Sequence, residues 1–150
     1  MKHITDMVLD AYRIGVFPMA ESADDDSFAF YKPYMRGLIP IKDLHISAKI
    51  LKELRHGLYT VTIDQAFEDV IDGCARETPK REKTWINASI REIFMQLHAA
   101  GHAHSIECWT QDGKLAGGLY GLAIGAVFCG ESMFSNEKDG SKIALIHLCA

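Results

Sequence analysis

GHAHSIECWTQDGKLAGGLYGLAIGAVFCGESMFS, residues 101–135, is the stretch that decides the fold. Alternation after Gly101 puts His104, Ile106 and Cys108 on one strand face and Ser105, Glu107 and Trp109 on the other. Gln111-Asp112-Gly113-Lys114 contains Asp-Gly, a hairpin signal because both residues tolerate positive φ. The return run, Leu115–Leu122, is apolar but carries Gly117, Gly118 and Gly121. Glycine weakens a strand, so its repeated use points to bulges or to close approach of another backbone or a ligand. A further apolar run over Ala123–Cys129 ends in Gly130-Glu131-Ser132-Met133-Phe134. Glu131 there is a carboxylate among apolar side chains, where an unpaired charge is costly.

Outward from this hairpin, the 150 residues suit one domain large enough to bury a core without disulfide or metal staples. Helical spacing of Ile4, Met7, Val8, Ala11 and Tyr12 predicts a helix over 4–14, stopped by Gly15. Phe28–Tyr34 and Arg36–Ile41 read as short strands broken by Pro33 and Gly37. Ser47 is placed to cap a helix over 48–55, and Tyr59–Ile63 reads as a strand. Asp64 is expected to cap a helix over 65–74, and Asn87 or Ser89 to open one that ends at Gly101. Ser141 begins a last helix. Mixed strands and helices around an antiparallel hairpin predict an α/β or α+β fold rather than a doubly wound sheet.

A hydrophobic fraction of 48% fits a soluble globular protein. No run of 18 apolar residues is present, and Asp6 and Asp10 interrupt the first 15 residues, so neither a membrane helix nor a signal peptide is expected. Cys74, Cys108, Cys129 and Cys149 lack C-x-x-C spacing and read as reduced thiols of a cytoplasmic protein. A net charge of −4 argues against a broad basic face. Two local basic clusters remain, one at Lys49, Lys52, Arg55 and His56, the other at Arg76, Lys80, Arg81 and Lys83. Either is a solvated face or a contact for nucleic-acid phosphates. His98, His102 and His104 have spacings that invite a metal reading, but Gly101 separates the first from the others. We expect no metal site and no cofactor: Walker and dinucleotide fingerprints are absent, as is the acetyl-CoA pyrophosphate motif. Trp85 is either a core tryptophan or a platform for a stacked base. Leu119, Phe128 and Met133 fit either ordinary sheet core or a pocket for an apolar side chain.

GHAHSIECW, GGLYG and FCGESMFS resemble the signature of the leucyl/phenylalanyl-tRNA–protein transferases. AYRIGVFPMAES, RGLIP with LHIS, VTIDQAFEDVIDGCA, TWIN and SKIAL extend the resemblance along nearly the whole chain. It implies a single catalytic domain over 1–150 whose C-terminal portion is missing, with an acyl-CoA N-acyltransferase-like mixed sheet and flanking helices. The implied activity transfers Leu, Phe or Met from aminoacyl-tRNA to proteins with N-terminal Arg or Lys, marking them for degradation. A monomer that needs no membrane is expected.

The resemblance also assigns residues. Trp85 matches the tryptophan that contacts the terminal adenosine of the donor tRNA. Met19 stands at the second wall of that contact, where some members carry tryptophan. Leu119, Phe128, Met133, Leu145 and Leu148 match positions lining the pocket for the donor side chain, with Glu131 at its edge. It raises the tRNA reading for Arg76, Lys80, Arg81 and Lys83. The family's Asp and Gln for proton removal and carbonyl polarisation fall in a D-C-Q strand after the last helix, so no catalytic residue is assigned within 1–150. Two rival readings are an inactive fragment that retains only binding of the tRNA acceptor end, and an acetyltransferase-like enzyme acting on a small amine.

Overall fold

In a computed structural model describing residues 3–150, the stretch 101–135 forms the three longest strands of a single antiparallel sheet. The elements in chain order are α1 (Ile4–Arg13), β1 (Phe17–Met19), β2 (Ala29–Tyr31), α2 (Ala48–Arg55), β3 (Thr60–Ile63), α3 (Phe67–Ala75), α4 (Ala88–Ala99), β4 (Ala103–Trp109), β5 (Leu115–Ile124), β6 (Val127–Ser135) and α5 (Gly140–Cys149). The main sheet has the order β3-β4-β5-β6, and β1 pairs with β2 in a separate two-stranded ribbon. This is the expected mixture of helices with antiparallel strands.

Each face of the sheet is covered. Tyr120, Leu122, Ala103 and Phe134 pack with residues of α1, α3 and α4 on one side. Leu119, Ile106, Cys108 and Ala116 pack with Ile143 and Ala144 of α5 on the other, where Leu54 of α2 also reaches them. Double coverage explains why β4 and β5 are buried along nearly their whole length instead of showing a wet face. It also explains Gly117. A Cβ there would lie 2.7 Å from the Phe134 carbonyl oxygen and 2.9 Å from the Gly140 carbonyl carbon, so the start of α5 rests directly on the β5 backbone.

Several boundaries follow from side-chain caps. Ser47 accepts from the Ile50 N–H and opens α2. Asn87 accepts from the Ile90 N–H at 2.9 Å and opens α4. The Asn87 amide also donates to the carbonyls of Asp25 and Ser27, which ties the acidic 21–27 loop to that helix start.

Three local expectations need correction. Residues 36–41 form no strand, and β2 is only Ala29–Tyr31. Instead a one-turn 3-10 helix spans Ile41–Asp43. The apolar run over 123–129 is divided by a turn at Gly125, whose φ is +57°, and Gly130–Phe134 belongs to β6. Asp64 does not cap α3. It adopts φ +56°, and its carboxylate accepts from the Ser105 N–H and meets His104 Nδ1 at 2.7 Å. The α3 start is served from the sheet by Glu107. Its carboxyl oxygens accept from the Gln65 and Ala66 N–H groups at 3.4 Å and from the hydroxyls of Thr62 and Ser105 at 2.5 Å.

Candidate functional site

Leu119 and Met133 face each other across β5 and β6, on the side of the sheet covered by α5. One residue further along β5 the register slips. Tyr120 pairs with Ser132 but Gly121 pairs with Gly130, which leaves Glu131 as the extra residue of a bulge. A bulge re-aims the side chain it adds. Here the Glu131 carboxyl turns toward α1, where the Tyr12 hydroxyl donates to Oε1 at 2.6 Å. Gly121 permits this geometry, because any Cβ there would run into the Cys129 carbonyl and the Phe128 ring.

Beside this bulge lies a groove of about 930 Å³. Its sheet wall contains Leu119, Phe128, Glu131 and Met133, and its helix wall contains Leu145 and Leu148 of α5. The third wall is the 37–43 segment, Gly37-Leu38-Ile39-Pro40-Ile41-Lys42-Asp43. The six candidate side-chain-pocket residues thus meet in one cavity. Met133 is 42% exposed, Leu38 83% and Ile39 55%, so the groove presents open apolar surface rather than closed core.

Glu131 has an unusual environment. Burial of its carboxyl pushes the pKa up to about 7, opposed by the Tyr12 hydrogen bond and by the Arg36 charge. Tyr12 is held neutral by burial and by the neighbouring carboxylate. Beneath it the Tyr120 hydroxyl is fully buried and has no hydrogen-bond partner among the described residues. Burial and the nearby Glu131 charge both disfavour the Tyr120 phenolate. The groove therefore has an apolar body and one polar corner, suited to a ligand with an apolar side chain and a polar end.

Met19 and Trp85 lie outside the groove lining but beside one another in the chain trace. The Ala20 N–H, next to Met19, donates to the Trp85 carbonyl at 3.2 Å. Both side chains are partly exposed, with Trp85 packed against the larger core. Phe17 and Met19 share the open face of β1 while Pro18 is buried beneath. The Arg36 guanidinium sits over the Phe17 ring, 5.3 Å from its centroid, and so joins this ledge to the groove wall that starts at Gly37.

The basic loop is divided. Arg76, Lys80 and Lys83 are exposed. Arg81 is partly buried and its Nη2 donates to the Arg76 carbonyl at 2.8 Å and toward the Gly73 carbonyl at 3.5 Å, closing the end of α3. Among the described residues no group of three or more His, Cys, Asp or Glu side chains is arranged to hold a metal ion. His98 accordingly stacks on Phe67 with centroids 4.1 Å apart, and its Nδ1 meets the Ala103 carbonyl. No helix of the described residues is long and apolar enough to cross a membrane.

Sequence reasoning missed Tyr12, Arg36 and the 37–43 wall. Tyr12 looked like one more apolar position of an amphipathic helix, and only the fold brings it to a residue 119 positions away. Arg36–Ile41, which overlaps most of that wall, reads as a short strand broken by Gly37, although Gly37 and Pro40 so close together signal a loop.

An antiparallel sheet between helices, with an apolar groove cornered by one enclosed carboxylate, defines the class as an α/β domain. Comparison with known proteins gives that class its family. The family model described as leucyl/phenylalanyl-tRNA protein transferase matches residues 38–150. The chain is 51% identical over 145 residues to the leucyl/phenylalanyl-tRNA–protein transferase of Rhodopseudomonas palustris strain TIE-1, covering 97% of this chain and 64% of that protein. It is 52% identical over 145 residues to that of Novosphingobium aromaticivorans, covering 97% of this chain and 55% of the relative. It is 52% identical over 143 residues to that of Maricaulis maris strain MCS10, covering 95% and 66% respectively. The chain belongs to the leucyl/phenylalanyl-tRNA–protein transferase family. It spans between 55% and 66% of the length of these relatives.

Proposed function

We propose that this domain binds the aminoacyl end of a tRNA charged with Leu, Phe or Met and presents it for transfer to a protein with N-terminal Arg or Lys, a mark for degradation, in the cytoplasm. In that reaction a neutral α-amine attacks the ester carbonyl, a peptide bond forms, and the tRNA leaves with its ribose hydroxyl restored. The observation that carries the reading is the groove, with its apolar walls of Leu119, Phe128, Met133, Leu145 and Leu148 and its single enclosed carboxylate, Glu131. The volume suits one large side chain with part of its attached sugar. Trp85 and Met19 provide the neighbouring ledge for the adenine. An indole under a purine contributes roughly 1–3 kcal/mol. Glu131 is available to the donor's α-ammonium at the polar corner. None of the residues 1–150 is assigned the bond-making chemistry.

The test uses stable donors, aminoacyl-adenosines whose ester is replaced by an amide. Titration of this chain with the leucyl, methionyl and phenylalanyl forms should give saturable binding, with adenosine alone weaker. Met133→Ala removes contact from the open side of the groove. It should weaken the leucyl form relative to the phenylalanyl form, a shift in discrimination of roughly 1–3 kcal/mol, and leave adenosine unchanged. Equal losses for all three aminoacyl forms and for adenosine would place the ligand elsewhere.

The basic loop makes a separate prediction. For tRNA binding, Lys80→Ala and Lys83→Ala should each lower affinity and flatten the salt dependence by about one unit of slope. Trp85→Ala should weaken binding with the slope intact. Arg81→Ala should instead loosen the loop, because its guanidinium already donates to backbone carbonyls. Identical salt slopes for the parent and both lysine variants would remove this loop from the interface.

A further inference from the structure

The groove and the aromatic ledge meet at one side chain. Arg36 immediately precedes Gly37, the first residue of the groove's outer wall, and its guanidinium lies over Phe17, which shares the open face of β1 with Met19. The side chain is exposed, and no hydrogen bond or ion pair engages its guanidinium among the described residues. A cation held against an aromatic face keeps its N–H edge free for an incoming acceptor. The Arg36 charge reaches Glu131, where it opposes in part the larger upward effect of burial, with no hydrogen bond or ion pair between the two among the described residues. Cys129 feels the same charge.

We propose that Arg36 is a phosphate-binding residue that fixes the joint of the donor, between the aminoacyl group in the groove and the base on the ledge. The inference rests on the donor-binding reading above and adds to it a third point of attachment. The terminal nucleotide of a charged tRNA has three chemically distinct parts: the apolar side chain, the base, and the ribose, which joins base and ester and carries the 5′ phosphate. With the side chain among Leu119, Met133 and Leu145 and the base near Trp85, the sugar-phosphate lies across the span that Arg36 commands. A guanidinium suits that place because its planar fork takes two phosphate oxygens at once. Arg36 lies apart from the 76–83 loop in sequence. It reads the terminal nucleotide, while the exposed lysines of that loop can meet phosphates further along the strand.

The experiment compares two probes, amide-linked leucyl-adenosine and the same compound carrying a 5′ phosphate. With the parent chain, the phosphate should improve affinity about tenfold or more, the range for a charge-assisted bidentate contact. Arg36→Ala should bring the ratio of the two dissociation constants close to one while leaving the unphosphorylated probe nearly unchanged. Arg36→Lys, which keeps the charge and loses the fork, should fall between. An unchanged ratio in Arg36→Ala, or a parent ratio near one, overturns the assignment and leaves the groove reading intact. If neither probe binds the parent, the donor-binding reading itself fails and this inference with it. A matching ratio for the phosphorylated compound and a short oligonucleotide ending in the same leucyl-adenosine would identify the terminal phosphate as the one read. Circular dichroism of each variant checks that the exposed substitution leaves the fold in place.

Discussion

Glu107→Ala is expected to lower the stability of the domain by more than about 3 kcal/mol, a fall in Tm of roughly 6–12 °C for a chain of this size. Glu107 is fully buried on β4. Its two oxygens collect four donors, the Thr62 and Ser105 hydroxyls and the Gln65 and Ala66 N–H groups. Truncation strands those donors and leaves a cavity, and each effect alone is worth about 1–3 kcal/mol. The damage should also be local. Trp109 Nε1 donates to the same Thr62 hydroxyl at 2.8 Å, so the loss spreads to the outer end of β4. The α3 start loses the acceptor that stands in for a side-chain cap. Amide exchange at Gln65–Phe67 should accelerate first. Glu107→Gln, which keeps the volume and one carbonyl acceptor, should fall well short of the alanine effect. Equal stability of Glu107→Ala and the parent in a denaturant titration would mean that this corner is held by packing alone.

That corner also marks where reading the chain by local rules stops working. The Ser47 and Asn87 caps, the extents of α2 and α4 and the Asp112-Gly113 hairpin are all visible in the sequence, because each depends on residues within a few positions of one another. Asp64 before an apolar run satisfied the same local rule and nevertheless has a different role. It turns to left-handed φ and serves the β4 backbone, while an acceptor 41 residues downstream serves Ala66. No local rule contains that exchange. The site shows the same division. Leu119, Phe128, Glu131, Met133, Leu145 and Leu148 could be named from motifs, and the fold gathers them into one groove. Their partners Tyr12 and Arg36 come from other parts of the chain, with nothing in their own neighbourhoods to mark them. The bulge that turns Glu131 toward Tyr12 was foreshadowed only by the glycines of β5.

The Glu131 corner gives the domain a pH dependence that one substitution should erase. Burial pushes this carboxyl up to about 7 from an ordinary value of 4.5. Between those two values the folded state holds a proton that the unfolded state has already released. Stability is therefore greatest below about pH 4.5 as far as this group is concerned, falls as pH rises toward 7, and levels off above it. A shift of this size corresponds to roughly 3 kcal/mol at most. Glu131→Gln keeps an oxygen to accept from Tyr12 and carries no charge to bury. It should match the parent near pH 4.5 and be more stable near pH 8 by about 2–3 kcal/mol, or roughly 4–12 °C in Tm. Other ionisable groups also contribute to the parent's pH profile, so that profile does not isolate Glu131. The difference between parent and variant does, because those groups are common to both. The groups facing Glu131 are Tyr12 from α1, Tyr120 from β5, Cys129 from β6 and Arg36. The first three are kept neutral by burial through this range, and the Arg36 charge acts on Glu131. Thermal unfolding of both proteins from pH 4.5 to 8 decides the matter, and parallel curves would falsify the buried-charge account. If the curves diverge as expected, the corner is strained by its own charge at neutral pH. A cationic group in the groove, such as a donor's α-ammonium, would relieve that strain. Leucyl-adenosine amide should then raise the parent's Tm more at pH 8 than it raises that of Glu131→Gln.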